Sequence, residues 1–225
     1  VEWYPPGMLV VWTTAIAAAL LVISILSMMG ADGGIRSAIV QMINTGIVDT
    51  GELRAMLDAQ GMDISAAEFL TMVAAFVPAT AAGMWLIMTL ANMLIAQLIV
   101  TRSGLAARPM PNIQDMTYPQ AFLILFPVSL VLAFLPGELG FAGASLAALL
   151  FVPYFLLGLV TIHAISRGWQ GRPAILAVFY VAVALFGWLI LLVSILGLVE
   201  AWMGLRARYG AGTSGPPDAP THIDR

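Results

Sequence analysis

The sequence predicts an all-α, polytopic integral membrane protein with about five transmembrane helices and an amphipathic interfacial segment. Of its 225 residues, 61% are apolar and 9% charged, whereas a soluble domain carries roughly 25% charged residues. Mean hydropathy is +0.97. The charges are also bunched: no Asp, Glu, Lys or Arg occurs in 3–31, 69–101, 116–137, 139–166 or 173–199. Each gap exceeds the ~20 residues a helix needs to cross about 30 Å of hydrocarbon.

The first span is expected near 7–30, with Trp3, Tyr4 and Trp12 at one membrane interface. Pro5 and Pro6 suit its start, where the first helical N–H groups have no partners to lose. No basic n-region marks a signal peptide, and the chain reads as a piece of a longer gene product. Residues 31–64 form an extramembrane helical segment. Ile35, Ile39, Met42, Ile43 and Ile47 recur there at helical spacing opposite Arg36, Gln41 and Asn44, the pattern of a helix lying at an interface.

Ser65-Ala-Ala-Glu68 is a capping box, and it opens a second helical stretch over 66–101. That stretch is too long for an upright span and is expected to bend near Pro78, because proline breaks the i→i−4 ladder. The third span is expected over 118–135 and contains Pro127. The fourth runs over 141–166 with Pro153, and the fifth over 173–199. A single transmembrane domain thus covers 1–208. Residues 209–225, which include GAGTSGPPDAPTHIDR, lack apolar periodicity and are expected to be a disordered tail.

Several function classes lose support. The chain has no cysteine and two histidines, which leaves no thiolate metal site, no Cys nucleophile and no HExxH pair. There is no GxSxG elbow, Walker loop or dinucleotide fingerprint, and no carboxylate lies deep in a span to relay protons or sodium. No catalytic, cofactor-binding or metal-ligating residue is assigned, and the protein is read as a non-enzyme. A net charge of −3 offers no nucleic-acid footprint. The partner implied directly is the lipid bilayer, in a multi-pass arrangement.

The polar groups inside the spans read first as interhelical hydrogen-bonding glue. Small-residue ladders at Ala75, Ala79 and Gly83, at Ala144 and Ala148, and at Ala15 and Ala19 likewise suit close helix packing. If one functional polar site exists, its candidate substrate-binding residues are Asn92, Thr89 one turn before it, Tyr154 and His163. Asn92 is the deepest amide. His163, four residues before Arg167, reads first as a helix-end residue at the headgroup boundary and second as a ligand-binding one.

Phe134-Leu-Pro-Gly137, Pro153-Tyr-Phe-Leu-Leu-Gly158 followed by His163, Arg172-Pro173, Tyr180 and Gly197-Leu-Val-Glu-Ala-Trp202 with Arg206 resemble the bacterial predicted membrane proteins of domain of unknown function 2232. The opening Trp-Tyr-Pro-Pro resembles that family's lead-in to a span. The family is similar to the substrate-binding membrane subunits of energy-coupling-factor importers. The resemblance implies an inner-membrane subunit for small-solute (micronutrient) uptake, relying on other membrane subunits and a coupling ATPase for energy. Family members are usually longer at the N-terminus, so the chain resembles their C-terminal two-thirds. The alternative is a non-catalytic structural or assembly protein of the bacterial inner membrane.

Overall fold

The structure, a computed structural model, describes residues 4–46, 49–107, 110 and 112–209, and every regular element among them is helical. Among the described residues, three helices are long and apolar enough to cross a membrane: α1 (Pro6–Met28), α5 (Val77–Arg102) and α7 (Gly137–Ile165). Lipid contact follows from these lengths. A fourth crossing is counted if α8 (Arg172–Leu185) and α9 (Leu189–Met203) form one span. The expected fifth span is therefore two helices, bent by 120° at Phe186–Trp188. The expected third span is a helix of 14 residues, α6 (Gln120–Ala133), about 21 Å long and short of a full bilayer core.

The chain divides into two compact units, Val1–Pro111 with Tyr118–Pro153 and Asn112–Thr117 with Tyr154–Arg225. In the first unit, Pro6 opens α1 as expected. The hydroxyls of Thr13 and Thr14 donate back to Leu9 O and Val10 O at 2.7 Å, so neither burdens the apolar interior with an unmet donor. Amphipathic α2 (Gly34–Gly46) buries Ile35, Ile39 and Ile43, while Met42 stays exposed. Asp49 caps α3 (Thr50–Ala59), accepting from the amides of Gly51 and Glu52. The expected tail lies, from residue 210 on, outside the described residues.

The capping box at Ser65 and Glu68 starts α4 (Ala66–Ala74). Instead of one helix bent at Pro78, the stretch is two helices separated by Ala75 and Phe76, with α5 regular from Val77 through Pro78, and the register of the break has a simple cause. Pro78 has no N–H to donate to the carbonyl of Ala74, and α4 ends at Ala74. Pro78 itself sits in the first turn of α5, where the missing donor costs nothing. The core of this unit joins Ala17, Leu21 and Ile25 of α1, Ile35 and Ile39 of α2, Leu57 of α3, Leu70 of α4, Leu86 of α5, and Phe141 and Leu149 of α7.

α6 lies against the first part of α7. Tyr118 Oη donates to Pro153 O at 2.7 Å, and Phe126 meets Phe151 edge-on at 5.1 Å. A Cβ on Gly143 would come within 2.5 Å of the backbone of Leu132 and Ala133. Close approach here depends on glycine, whereas the alanines of the expected ladders at 15, 19, 144 and 148 are exposed.

In the second unit the same device recurs between α7 and α9. A Cβ on Gly197 would fall on the carbonyl oxygen of Tyr154, and one on Gly158 on that of Val193. The unit closes with α10 (Leu205–Tyr209) after Gly204, whose φ of +61° turns the chain back.

Candidate functional site

Alanine at 17, 81 and 82 leaves space between α1 and α5 that larger side chains would fill. With α2 alongside, the result is a partly open cleft of about 300 Å³, at the small end of ligand-sized cavities. Its lining is aliphatic or thioether apart from Ser24 and Trp85, with Met28, Ile39 and Pro78 among the walls. The side-chain polar atoms on it are the Ser24 hydroxyl and the Trp85 indole N–H. No lining group titrates, so the cleft offers no acid, base or charge to a guest. It suits a neutral apolar or aromatic molecule, oriented by one or two hydrogen bonds and by the indole face.

Asn92 and Thr89 lie further along α5 and do not line this cleft. Thr89 is half-buried, and its hydroxyl donates to Trp85 O at 2.8 Å. Asn92 is exposed, and among the described residues its amide has no hydrogen-bond partner. Tyr154 and His163 belong to the second unit. Tyr154 is 1% exposed, packed where α9 crosses at Gly197. His163 is nine residues further along α7, about 14 Å by helical rise, so the two do not share one site.

His163 is held within the end of α7. Its Nδ1 meets Leu159 O at 2.9 Å; a carbonyl can only accept, so the proton is on Nδ1 there. Nε2 faces Tyr180 Oη at 3.4 Å. Arg172 reaches back to the same turn, donating through Nη2 to His163 O at 3.3 Å and through Nε to Ser166 Oγ at 3.4 Å. These donors satisfy acceptors at a helix C-terminus, where a cation is favoured. The arrangement closes the helix end.

One polar constellation was not anticipated from spacing. Glu200 is buried, and its Oε1 accepts from Arg206 Nε at 2.7 Å while Oε2 accepts from the Arg206 amide at 3.0 Å. Arg206 also donates to Gln114 O at 2.6 Å and Met116 O at 2.7 Å. A separation of six residues is not a helical pairing distance. The turn at Gly204 brings the two together, and that glycine was the one available signal. Among the described residues, no group of three or more His, Cys, Asp or Glu could hold a metal ion.

A protein-family model described as a predicted membrane protein, DUF2232, matches residues 4–200. No curated protein and no solved structure matches the chain significantly.

Proposed function

The chain belongs to the DUF2232 family of predicted membrane proteins, and we propose that it binds a small apolar or aromatic solute in the α1–α2–α5 cleft. In this reading it is a multi-pass subunit of the bacterial inner membrane serving solute uptake, with energy supplied by partner subunits that include a coupling ATPase. The observation that carries the reading is the cleft itself: ligand-sized, bounded by Trp85 and Pro78, with the Ser24 hydroxyl as a hydrogen-bonding handle.

The test is purification of the full-length protein in mild detergent, with mass spectrometry of retained small molecules and co-purifying proteins. The expected result is a neutral apolar solute held by the wild type and lost, by tenfold or more, from Ala81→Phe, which fills the cleft. A well-folded wild type that retains neither a solute nor an ATPase overturns the reading. The alternative, a structural or assembly role without a solute, is favoured by the exposed surface of α5, of whose most apolar stretch 11% is buried.

The topology belongs to the same reading. Five crossings would place residues 113 and 207 on opposite sides of the membrane, with α6, α7 and the α8–α9 pair between them. The hydrogen bonds from Arg206 to Gln114 and Met116 support the other arrangement, in which the bent pair enters and leaves on one side. Broken helices at membrane depth are tolerated where protein or water meets the freed backbone groups.

A further inference from the structure

Hydrogen bonds between segments distant in sequence sort the helix ends into two sets. At the first end, α1 finishes at Met28 and α5 begins at Val77, with α2, α3 and α4 between them. The bond from the Ile35 amide to Glu138 Oε1 at 3.2 Å places the start of α7 there too. At the second end lie Arg102, where α5 finishes, and the turn 166–171, which α7 reaches after 29 residues, about 44 Å of helix. The bonds from Arg206 to Gln114 O and Met116 O bring α10 to this end as well, because residues 114 and 116 belong to the connection that leaves α5.

This sorting redistributes the arginines. The orientation of a multi-pass protein follows the basic residues within about 20 residues of its span ends, which are retained in the cytoplasm. The first end has Arg36 in that range; Arg54 lies further than that from both Met28 and Val77. The second end has Arg102, Arg167, Arg172, Arg206 and Arg208 among the described residues. Arg206 is neutralised by Glu200 at 2.7 Å, and without it four arginines still stand against one. Were the α8–α9 pair a full crossing, Arg206 and Arg208 would join Arg36 and the count would be close to level. The carboxylates act in the same direction: residues 29–76 hold six of them against two arginines, a segment that the anionic cytoplasmic leaflet repels.

We propose that the arginine-bearing end faces the cytoplasm, and that the α1–α2–α5 cleft belongs to the extracytoplasmic half of the membrane. The cleft is walled by the last part of α1, from Ala17 to Met28, by the first part of α5, from Val77 to Trp85, and by Ile35, Ile39 and Met42 of α2. All of its walls therefore lie toward the first end. A neutral apolar solute reaches it from the outer leaflet or from the water beyond. ATP is confined to the cytoplasm, so an ATPase subunit acts on this chain from the end that carries Arg102 and Arg208, opposite the cleft. The inference rests on the solute-binding reading for its functional meaning and on the bent α8–α9 pair for its arginine count.

Because the chain has no cysteine, single substitutions report the side directly. With the protein expressed in a bacterial inner membrane, Asp32→Cys and Leu139→Cys are expected to react with an impermeant maleimide in right-side-out vesicles and to stay unlabelled in inside-out ones. Ile113→Cys and Gln170→Cys, both exposed, are expected to show the reverse. Green fluorescent protein fused after Arg225 is expected to fluoresce, since it matures in the cytoplasm and stays dark when exported unfolded; this readout does not depend on thiol exposure. Labelling of position 32 from the cytoplasmic side, labelling of 32 and 170 from one side, or a dark fusion at normal protein level would each overturn the proposal. Solute retention in detergent is scored separately. Outside labelling of position 32 with no retained solute upholds the orientation and removes the binding reading, whereas cytoplasmic labelling with a retained solute does the opposite.

Discussion

The backbone amide of Ile35 donates to Oε1 of Glu138 at 3.2 Å, tying the start of α2 to the start of α7. Gly34 makes the contact possible: its φ is +85°, and a Cβ there would come within 2.6 Å of the same oxygen. The Arg36 guanidinium lies 5.6 Å from the Phe141 ring centre beside it. Residues 32 and 139 therefore emerge together.

Single cysteines in Asp32→Cys and Leu139→Cys are expected to react with an impermeant thiol reagent from the same side of the membrane. Labelling from opposite sides would contradict the contact. Glu138→Ala, which leaves the first amide of α2 without its acceptor, should lower unfolding free energy in detergent by about 1–2 kcal/mol.

Cysteines at 113 and 207 are also expected to label from one side, as the Arg206 hydrogen bonds to Gln114 and Met116 require. Arg206→Ala leaves the Glu200 carboxylate buried and unpaired, which should cost about 3–5 kcal/mol. Arg206→Lys should recover part of this at most, since a lysine has one nitrogen where the guanidinium makes contacts through three.

Gly197→Ala should destabilise the protein by about 1–3 kcal/mol or more, because the added methyl falls on the backbone oxygen of Tyr154 and backbone cannot step aside as a side chain can. Gly46→Ala, at a helical glycine with open space around it, is the control. There the change should be neutral or slightly stabilising. Equal thermal shifts for the two variants would show that the α7–α9 approach is looser than described.

The Ser65 hydroxyl, followed by the Ser65 amide, holds the Glu68 carboxyl below its usual value through hydrogen bonds to the charged form. A lowered folded-state value means that the ionised cap adds stability above the unfolded carboxyl range and loses it as pH falls through the folded value. The wild-type thermal midpoint should therefore fall between pH 6 and pH 3, and Ser65→Ala should flatten that component of the fall. An unchanged pH profile in Ser65→Ala would remove the cap from the account.

What was legible in the residues was local or cumulative. Charge-free gaps longer than a bilayer foretold α1, α5 and α7, because no other environment solvates so much apolar surface. Pro78 marked the end of α4, and Ser65 with Glu68 marked its start, since both act through hydrogen bonds within a single turn. Ile35, Ile39 and Ile43 announced the buried side of α2, the one long segment with polar residues opposite.

Inside the uniformly apolar helices that contrast vanishes. Lipid and protein interior are equally apolar, so sequence periodicity does not say which side of α5, α7 or α9 is packed. Glycines 143, 158 and 197 sit at helix crossings while alanines 15, 19, 144 and 148 do not, and nothing in their spacing separates the two groups. The break at Phe186–Trp188 is apolar on both sides. The cleft beside Trp85 exists because α1, α2 and α5 meet across Ala17 and the adjacent Ala81 and Ala82, which are distant from it in sequence. The Glu200–Arg206 pair needs a turn at Gly204 and a loop some ninety residues earlier in the chain. Such features arise from long-range packing, where the gain comes from shape fitted between segments, and that fit is written in no single stretch of the chain.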